Sequence, residues 1–190
     1  KWGPSCLNRL VGMFAFCITN ISKNEMWCVR DNFGMKPLFY HWEKNRFIVA
    51  SEITPIRRMI PERVKFNTDR LRDYLVWGDY DSSSESFFRD IKSLRPGHLI
   101  NIKLNENIEV IEQKWSTPPQ LPHGDLNFLS AASQLKEIIF ESVDLHLRSD
   151  VPVAFLLSGG IDSTALACVA RQLYPNLEIR EKGFLQVGQI

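Results

Sequence analysis

The sequence predicts two folds in succession: an α+β unit built on antiparallel strands, then the opening of a doubly wound α/β domain. Three observations carry this reading. Apolar runs of strand length alternate with short polar turns over the first half. Three prolines (Pro118, Pro119 and Pro122) then fall within five positions, which marks a linker. Beyond them a helical apolar period, an apolar strand and a glycine turn follow in order.

Residues 11–19 read as a near-continuous apolar strand buried on both faces, and residues 26–29 as its return across the polar turn 20–24. Asn32-Phe33-Gly34 makes the next turn. Residues 38–42 and 46–50 flank Glu43-Lys44-Asn45 as a second hairpin. A short helix follows. Asn67 or Thr68 can cap it, Leu71, Tyr74, Leu75 and Trp77 give it an apolar side, and Gly78 ends it. Residues 79–86 are a polar loop. After the turn Pro96-Gly97, residues 98–103 alternate as a strand, which 108–111 can join across Asn105-Glu106-Asn107.

The boundary falls in the linker, dividing the chain into 1–115, a connection at 116–124, and 125–190. Past it, Leu129, Ala132, Leu135, Ile139, Val143 and His146 recur at helical spacing up to about Arg148. Asp125 or Asn127 can cap that helix, and Asp144 with Arg148 forms an i,i+4 pair.

Bulk properties exclude some classes. Hydrophobic residues are 44% of the 190, enough for a core, and the net charge is +1 with Lys and Arg dispersed. Neither nucleic acid nor an acidic membrane is expected as a partner. No apolar run approaches the roughly 20 residues of a membrane span. Cys6, Cys17, Cys28 and Cys168 lack metal-ligand spacing and read as buried, reduced thiols, which suits a cytoplasmic location. The start, Lys1-Trp2-Gly3-Pro4, lacks an initiator methionine, so a piece of a longer protein is expected.

The strongest chemical signal is Ser158-Gly159-Gly160-Ile161-Asp162-Ser163, between the apolar run 151–157 and a helical run from Thr164. Glycines let the backbone approach an anion, and the helix N-terminus turns free N–H groups and a positive dipole end toward it. Ser158 and Ser163 add hydroxyl donors. Asp162 would repel a lone phosphate but suits a Mg²⁺ ion carried by phosphates. The Walker loop is excluded, because its Gly-Lys-Ser/Thr ending is absent. A plain glycine turn between strand and helix is the bland alternative.

That run resembles the pyrophosphate-binding loop of the ATP pyrophosphatases, which cleave ATP between its α and β phosphates. Residues 10–16 (Leu-Val-Gly-Met-Phe-Ala-Phe), 29–40 around Arg30-Asp31-Asn32-Phe33-Gly34, and Ala50-Ser51-Glu52-Ile53 are similar to the second half of a class II glutaminase domain. Phe87 to Ile91 and Leu94 to His98 match the stretch that follows it. Together the chain resembles the glutamine-hydrolysing asparagine synthetases over most of residues 7–175. The resemblance implies an Ntn-type glutaminase half followed by the start of an ATP pyrophosphatase domain. It implies ATP and Mg²⁺, with glutamine and aspartate as further small-molecule substrates, and leaves room for a homodimer of the longer protein. The implied reaction adenylates aspartate to β-aspartyl-AMP, and ammonia from glutamine then displaces AMP. A related amidotransferase or β-lactam synthetase with another carboxylate acceptor, or a non-catalytic nucleotide-binding remnant, are the alternatives.

By the same resemblance Asp31 binds the α-amino group of glutamine. Its bland reading is a turn aspartate. Leu156 and Leu157 match positions whose backbone meets adenine, and Ser158, Gly159, Gly160, Asp162 and Ser163 match the ATP and pyrophosphate site. Arg30 and Lys36 read as structural or solvent-facing, and Glu52, His98 and His146 receive no chemistry. No catalytic residue is expected: the family's nucleophile is an N-terminal cysteine using its own amine as base, whereas Lys1 stands first and Cys6 is internal. Residues 181–190 depart from the family pattern, which truncation or a shifted reading frame would explain.

Overall fold

The computed structural model describes residues 2–63, 65–104, 108–117, 127–151, 153–175, 178–180 and 184–187. They fall into two compact units, 1–119 and 120–190.

The first unit holds two antiparallel sheets. Strands β1 (Ala15–Asn20), β2 (Glu25–Arg30), β6 (His98–Leu104) and β7 (Ile108–Lys114) form one, in the order β1-β2-β6-β7. Strands β3 (Phe39–Glu43), β4 (Arg46–Ala50) and the two-residue β5 (Lys92–Ser93) form the other, ordered β4-β3-β5. Both expected hairpins are present. Asn20 accepts a hydrogen bond from the Lys23 N–H in the first turn, and Lys44 takes a positive φ in the second. Side chains from both sheets share one core: Cys28, Ile100 and Ile102 meet Leu38 and Tyr40. On its other face the second sheet packs Ile48 against Ile56, Ile60 and Ile91. The outer face of the first sheet packs Val29 and Leu99 against Leu7, in the 3₁₀ turn Gly3–Arg9.

Three elements differ from the sequence reading. Strand β1 starts at Ala15 and is not buried on both faces. It is an edge strand, with Cys17, Ile18, Thr19 and Asn20 exposed. Helix α1 (Ile53–Met59) was not anticipated, because β-branched Ile53 and Thr54 favour a strand, while Pro55 fits a first helical turn. Helix α2 (Thr68–Trp77) is capped by Asn67 and ended by Gly78 as expected, but its apolar side is inverted. Leu75 and Trp77 are each 80% exposed, and the helix's buried residue is Arg70, drawn inward by Asp79 at 3.0 Å and Asp73 at 3.6 Å.

In the second unit α3 (Phe128–Leu147) is capped by Asn127 and carries the Asp144–Arg148 pair at 3.3 Å. Asp125 and most of the linker lie outside the described residues. Strand β8 (Val153–Leu156) leads into α4 (Ile161–Leu173). Val143, Leu147 and Ala170 form the core, with Val153 and Phe155 packed against it. Leu156 points the other way and is 74% exposed, so β8 buries one face only, contrary to the buried strand expected.

The expected parallel sheet is not what these residues build. Strands β9 (Glu178–Arg180) and β10 (Phe184–Val187) pair as a hairpin, and β10 pairs with β8, all antiparallel. The order is β8-β10-β9, so β9 runs in the same direction as β8 with the returning β10 between them. A short connection permits only an antiparallel return, which explains the filled gap.

One joint ties the first unit together. Arg30, at the end of β2, spends its guanidinium on four acceptors: Nε donates to the Lys36 carbonyl at 2.8 Å, Nη1 to the Leu94 carbonyl and Ser93 Oγ, and Nη2 to the Gly34 carbonyl. The Arg30 side chain is therefore structural. Asp31 answers with its carboxylate, which accepts from the N–H groups of Met35 (2.9 Å), Lys36 (3.0 Å), Phe33 (3.1 Å) and Phe14 (3.3 Å). Its own carbonyl accepts from Gly34 and Gly97. Burial alone would push this carboxyl up, but the four N–H groups outweigh it and hold it below the usual aspartate range.

Two outcomes follow from this joint. Gly34 has φ +66°, and a Cβ there would stand 2.8 Å from Pro96 Cγ and 3.0 Å from Arg30 Cζ. Gly34→Ala should therefore cost about 2–4 kcal/mol of stability, read by urea unfolding; a loss below about 1 kcal/mol would show that the joint yields. For Asp31 the folded-state value is depressed, so its stabilisation is present above the unfolded value of about 3.9 and is lost as pH falls through the folded value. Asp31→Asn should cost roughly 2–3 kcal/mol at pH 7. The gap to the parent should narrow as pH drops below about 4; a gap constant with pH would remove the carboxylate from the account.

Candidate functional site

Each unit carries one candidate site. In the first, the Arg30–Gly34 joint forms a wall of a cavity of about 560 Å³. Arg30, Phe33 and Gly34 face it from the joint, Ile53 from α1, and the polar loop after α2 supplies Tyr80, Asp81 and Glu85. Arg95 and Lys114 add cationic character, and His98 lines the cavity beside them. Its walls offer both charges, as a zwitterionic ligand requires. Arg95 is held by Glu112 at 2.9 Å, and the His98 ring nitrogen Nδ1 stands 2.7 Å from the Pro96 carbonyl. The loop at 79–86, read in the sequence only as polar, lines the cavity and is the contribution that sequence reasoning missed. Its four serines in five positions, 82–84 and 86, signalled a loop and nothing more.

Asp31 does not sit at the lip of this cavity, as its expected ligand role would have it. It is 1% exposed and lies behind the wall. A carboxylate offers about four acceptor positions, and the four backbone N–H groups fill them. Lys36 is exposed. Glu52 stands at the N-cap of α1 without a capping hydrogen bond from its side chain.

In the second unit the run 158–163 is a strand-to-helix turn. Gly159 takes φ +80°, and Gly160 is the N-cap residue of α4 with extended backbone. No side chain caps the helix, so its first N–H groups stay open to a ligand. Ser158 Oγ and Ser163 Oγ lie 3.1 Å apart, on the same side of the turn. Ser163 and Thr164 hydroxyls donate to the Gly160 carbonyl at 3.1 and 2.8 Å, which turns that carbonyl inward and leaves the amide side facing out. Ser158, Gly159, Gly160 and Asp162 are exposed, Ser163 partly so. Nothing lies within 4 Å of a Cβ built at Gly159, so the glycine there answers to φ and not to crowding. Leu156 and Leu157 are both exposed beside the turn, where a flat apolar group could rest on them.

The hydroxyls of Ser158 and Ser163 and the Gly160 N–H thus lie close together at the turn, bonded to one another and to the Gly160 carbonyl, beside the uncapped helix end. Asp162 is an acidic side chain in the first turn of α4. Among the described residues no group of three or more His, Cys, Asp or Glu side chains could cage a metal. His146 is exposed, with Nδ1 2.7 Å from the Ser142 carbonyl, and has no place in either site.

Comparison with known proteins agrees with this division. A family model described as a glutamine amidotransferase domain matches residues 1–116, and one described as asparagine synthase matches residues 134–184. A protein of Methanocaldococcus jannaschii provisionally named a glutamine-hydrolyzing asparagine synthetase is 31% identical over 90% of this chain and 33% of its own length. One of Mycobacterium bovis, named in the same provisional way, is 34% identical over 98% of this chain and 29% of its own. Asparagine synthetase [glutamine-hydrolyzing] 1 of Bacillus subtilis is 30% identical over 95% of this chain and 28% of its own. The chain thus spans a third or less of the length of these curated relatives. With both sheets of the first unit inside the matched span, which is more than half of the chain, the chain belongs to the glutamine amidotransferase domain family.

Proposed function

We propose that this chain is part of an ATP-dependent ligase that converts the side-chain carboxylate of aspartate to an amide, with ammonia drawn from glutamine. The single observation that carries the reading is the uncapped N-terminus of α4, where Ser158 and Ser163 hydroxyls and the Gly159–Gly160 backbone converge on one exposed point. A carboxylate oxygen of aspartate attacks the α-phosphorus of ATP, pyrophosphate leaves, and β-aspartyl-AMP forms. Ammonia then attacks the acyl carbon and AMP departs. In this scheme Ser158, Gly159, Gly160 and Ser163 hold the departing pyrophosphate, placing their strongest donation where negative charge grows. Leu156 and Leu157 bound the adenine with backbone and apolar surface. Asp162 would hold Mg²⁺ on the phosphates, and the ion would offset their charge.

In this proposal residues 1–115 are the later half of an Ntn-type glutaminase domain, 116–124 the linker and 125–190 the start of the nucleotide domain. The shared core of two antiparallel sheets supports the first assignment. The common direction of β8 and β9 on either side of α4 supports a crossover of the doubly wound kind. Asp31 enters in one form. The α-ammonium of glutamine would replace the Phe14 N–H, whose 3.3 Å bond is the longest of the four and the least costly to give up.

The nucleotide reading is tested by ATP–pyrophosphate exchange in the longer protein. Ser158→Ala and Asp162→Asn should each lower exchange about ten- to hundredfold, from loss of one charge-assisted contact, and leave glutamine hydrolysis unchanged. Parental exchange in both variants would sink the assignment. For the other site, Asp31→Asn should raise the glutamine KM and spare ammonia-dependent synthesis. Gly34→Ala, which disturbs the joint but keeps the carboxylate, is the control. If both variants lose activity equally with either nitrogen donor, Asp31 only builds the turn.

A further inference from the structure

Cys17 and Cys28 are direct cross-strand partners in the register of β1 and β2. Their sulfur atoms stand 3.1 Å apart. Neither takes part in the two sites above. Alternation puts both on the face of the sheet that carries Ala15 and Met26 toward the shared core. Cys28 is wholly buried there, while Cys17 is exposed on the edge strand. One thiol is thus open to solvent, and the other lies directly behind it. Opposed strand positions hold their Cβ atoms about 4.5–5.5 Å apart, and a disulfide spans about 3.5–4.5 Å, so closure asks only a small approach of an edge strand.

We propose that Cys17 and Cys28 are a reversible oxidation site, in which a peroxide converts the pair to a cross-strand disulfide that staples β1 to β2. The Cys17 thiolate attacks one oxygen of hydrogen peroxide. The O–O bond breaks, the second oxygen leaves as hydroxide and takes up a proton as water, and Cys17 becomes a sulfenic acid. The Cys28 sulfur then attacks the Cys17 sulfur. The S–O bond breaks, the departing hydroxide takes the Cys28 proton as a second water, and the S–S bond forms. Two thiols lose two electrons, and the peroxide gains them. A dithiol or two molecules of a small thiol reverse the step by exchange.

The local chemistry assigns these roles. The contact with Cys28 holds the Cys17 thiol below the ordinary cysteine range, against the smaller opposing effect of its partial burial. The same contact, with burial added, pushes Cys28 up. Cys17 is therefore the attacking thiolate, and Cys28 stays protonated until the sulfenic acid is beside it. Among the described residues β1 pairs with β2 alone, so the new bond would secure an edge strand that only one ladder holds.

The test is peroxide titration of the protein, then alkylation of the remaining thiols, digestion and mass spectrometry. Two of the four thiols should disappear, with one linked peptide pair joining Cys17 to Cys28, lighter by two hydrogens and restored by dithiothreitol. In Cys28→Ala, Cys17 should accumulate as a sulfenic acid trapped by dimedone. In Cys17→Ser, an exposed change that leaves the core intact, Cys28 should stay reduced at the same dose. The proposal is overturned if all four thiols remain alkylatable in the parent, if Cys6 or Cys168 is consumed first, or if Cys17 passes to sulfinic acid with no linked peptide.

Discussion

The first unit depends on a reciprocal exchange of hydrogen bonds at one turn. Arg30 and Asp31 are sequence neighbours on alternate sides of the end of β2. The guanidinium gathers carbonyls of Gly34, Lys36 and Leu94, and the carboxylate gathers N–H groups of Phe14, Phe33, Met35 and Lys36. A chain leaving one sheet for another must break its ladder, and its freed backbone groups must find partners. Here two charged side chains supply them. The same joint reaches Gly97 through the Asp31 carbonyl, and Trp115 through an indole N–H that donates to the Arg30 carbonyl. Strands β2, β3, β5 and β6 are thereby fixed around one point, and the cavity wall inherits that rigidity.

This arrangement separates the wall from the reader of any ligand. The joint's polar groups are largely consumed within it, so a molecule in the cavity meets the loop at 79–86 and the side chains of Arg95, His98 and Lys114. The second unit takes the opposite course. Its turn at 158–160 leaves α4 uncapped by any side chain, which is locally unfavourable and becomes sensible when an anion completes the helix end. A saturated turn serves as scaffold, and in the proposed function the uncapped one serves as site.

Much of this was legible in the sequence, for local reasons. Hairpins declared themselves through strand-length apolar runs around Asn20–Asn24 and Glu43–Asn45, and helix ends through Asn67, Gly78 and Asn127, whose short polar side chains or φ freedom act within a turn. The strand-to-helix glycine turn at 158–160 was equally local. What composition could not reveal was which neighbour each strand takes. Strand β2 lies between β1 and β6, whose residues pair with it from seventy or more positions away, so the exposure of β2 depends on a distant contact. The same ignorance made β1 and β8 look doubly buried, since an apolar strand reads alike whether one face or two are covered. For α2, Leu71, Tyr74 and Leu75 do share one face and Trp77 lies off it, but spacing cannot tell whether an apolar side is covered. Asp79 and Asp73 then chose Arg70 for the inside.

Asp31 shows how a resemblance and a geometry can meet. Family likeness points to a carboxylate for an ammonium group, whereas the structure gives that carboxylate to four amides. The two uses are compatible to the extent that the four bonds are unequal. Those from Phe33, Met35 and Lys36 come from the turn that Asp31 itself creates, and breaking one would unmake the turn. That from Phe14 comes from the approach to β1, a separate segment that also accepts the Asp31 N–H at 2.9 Å. In the proposed role Phe14 would release its longer bond and stay attached through the shorter one. An incoming ammonium would then exchange one donor for a charged donor at a carboxylate already ionised and oriented. Little further ordering would be needed, which is the condition for a buried acid to serve as both scaffold and ligand.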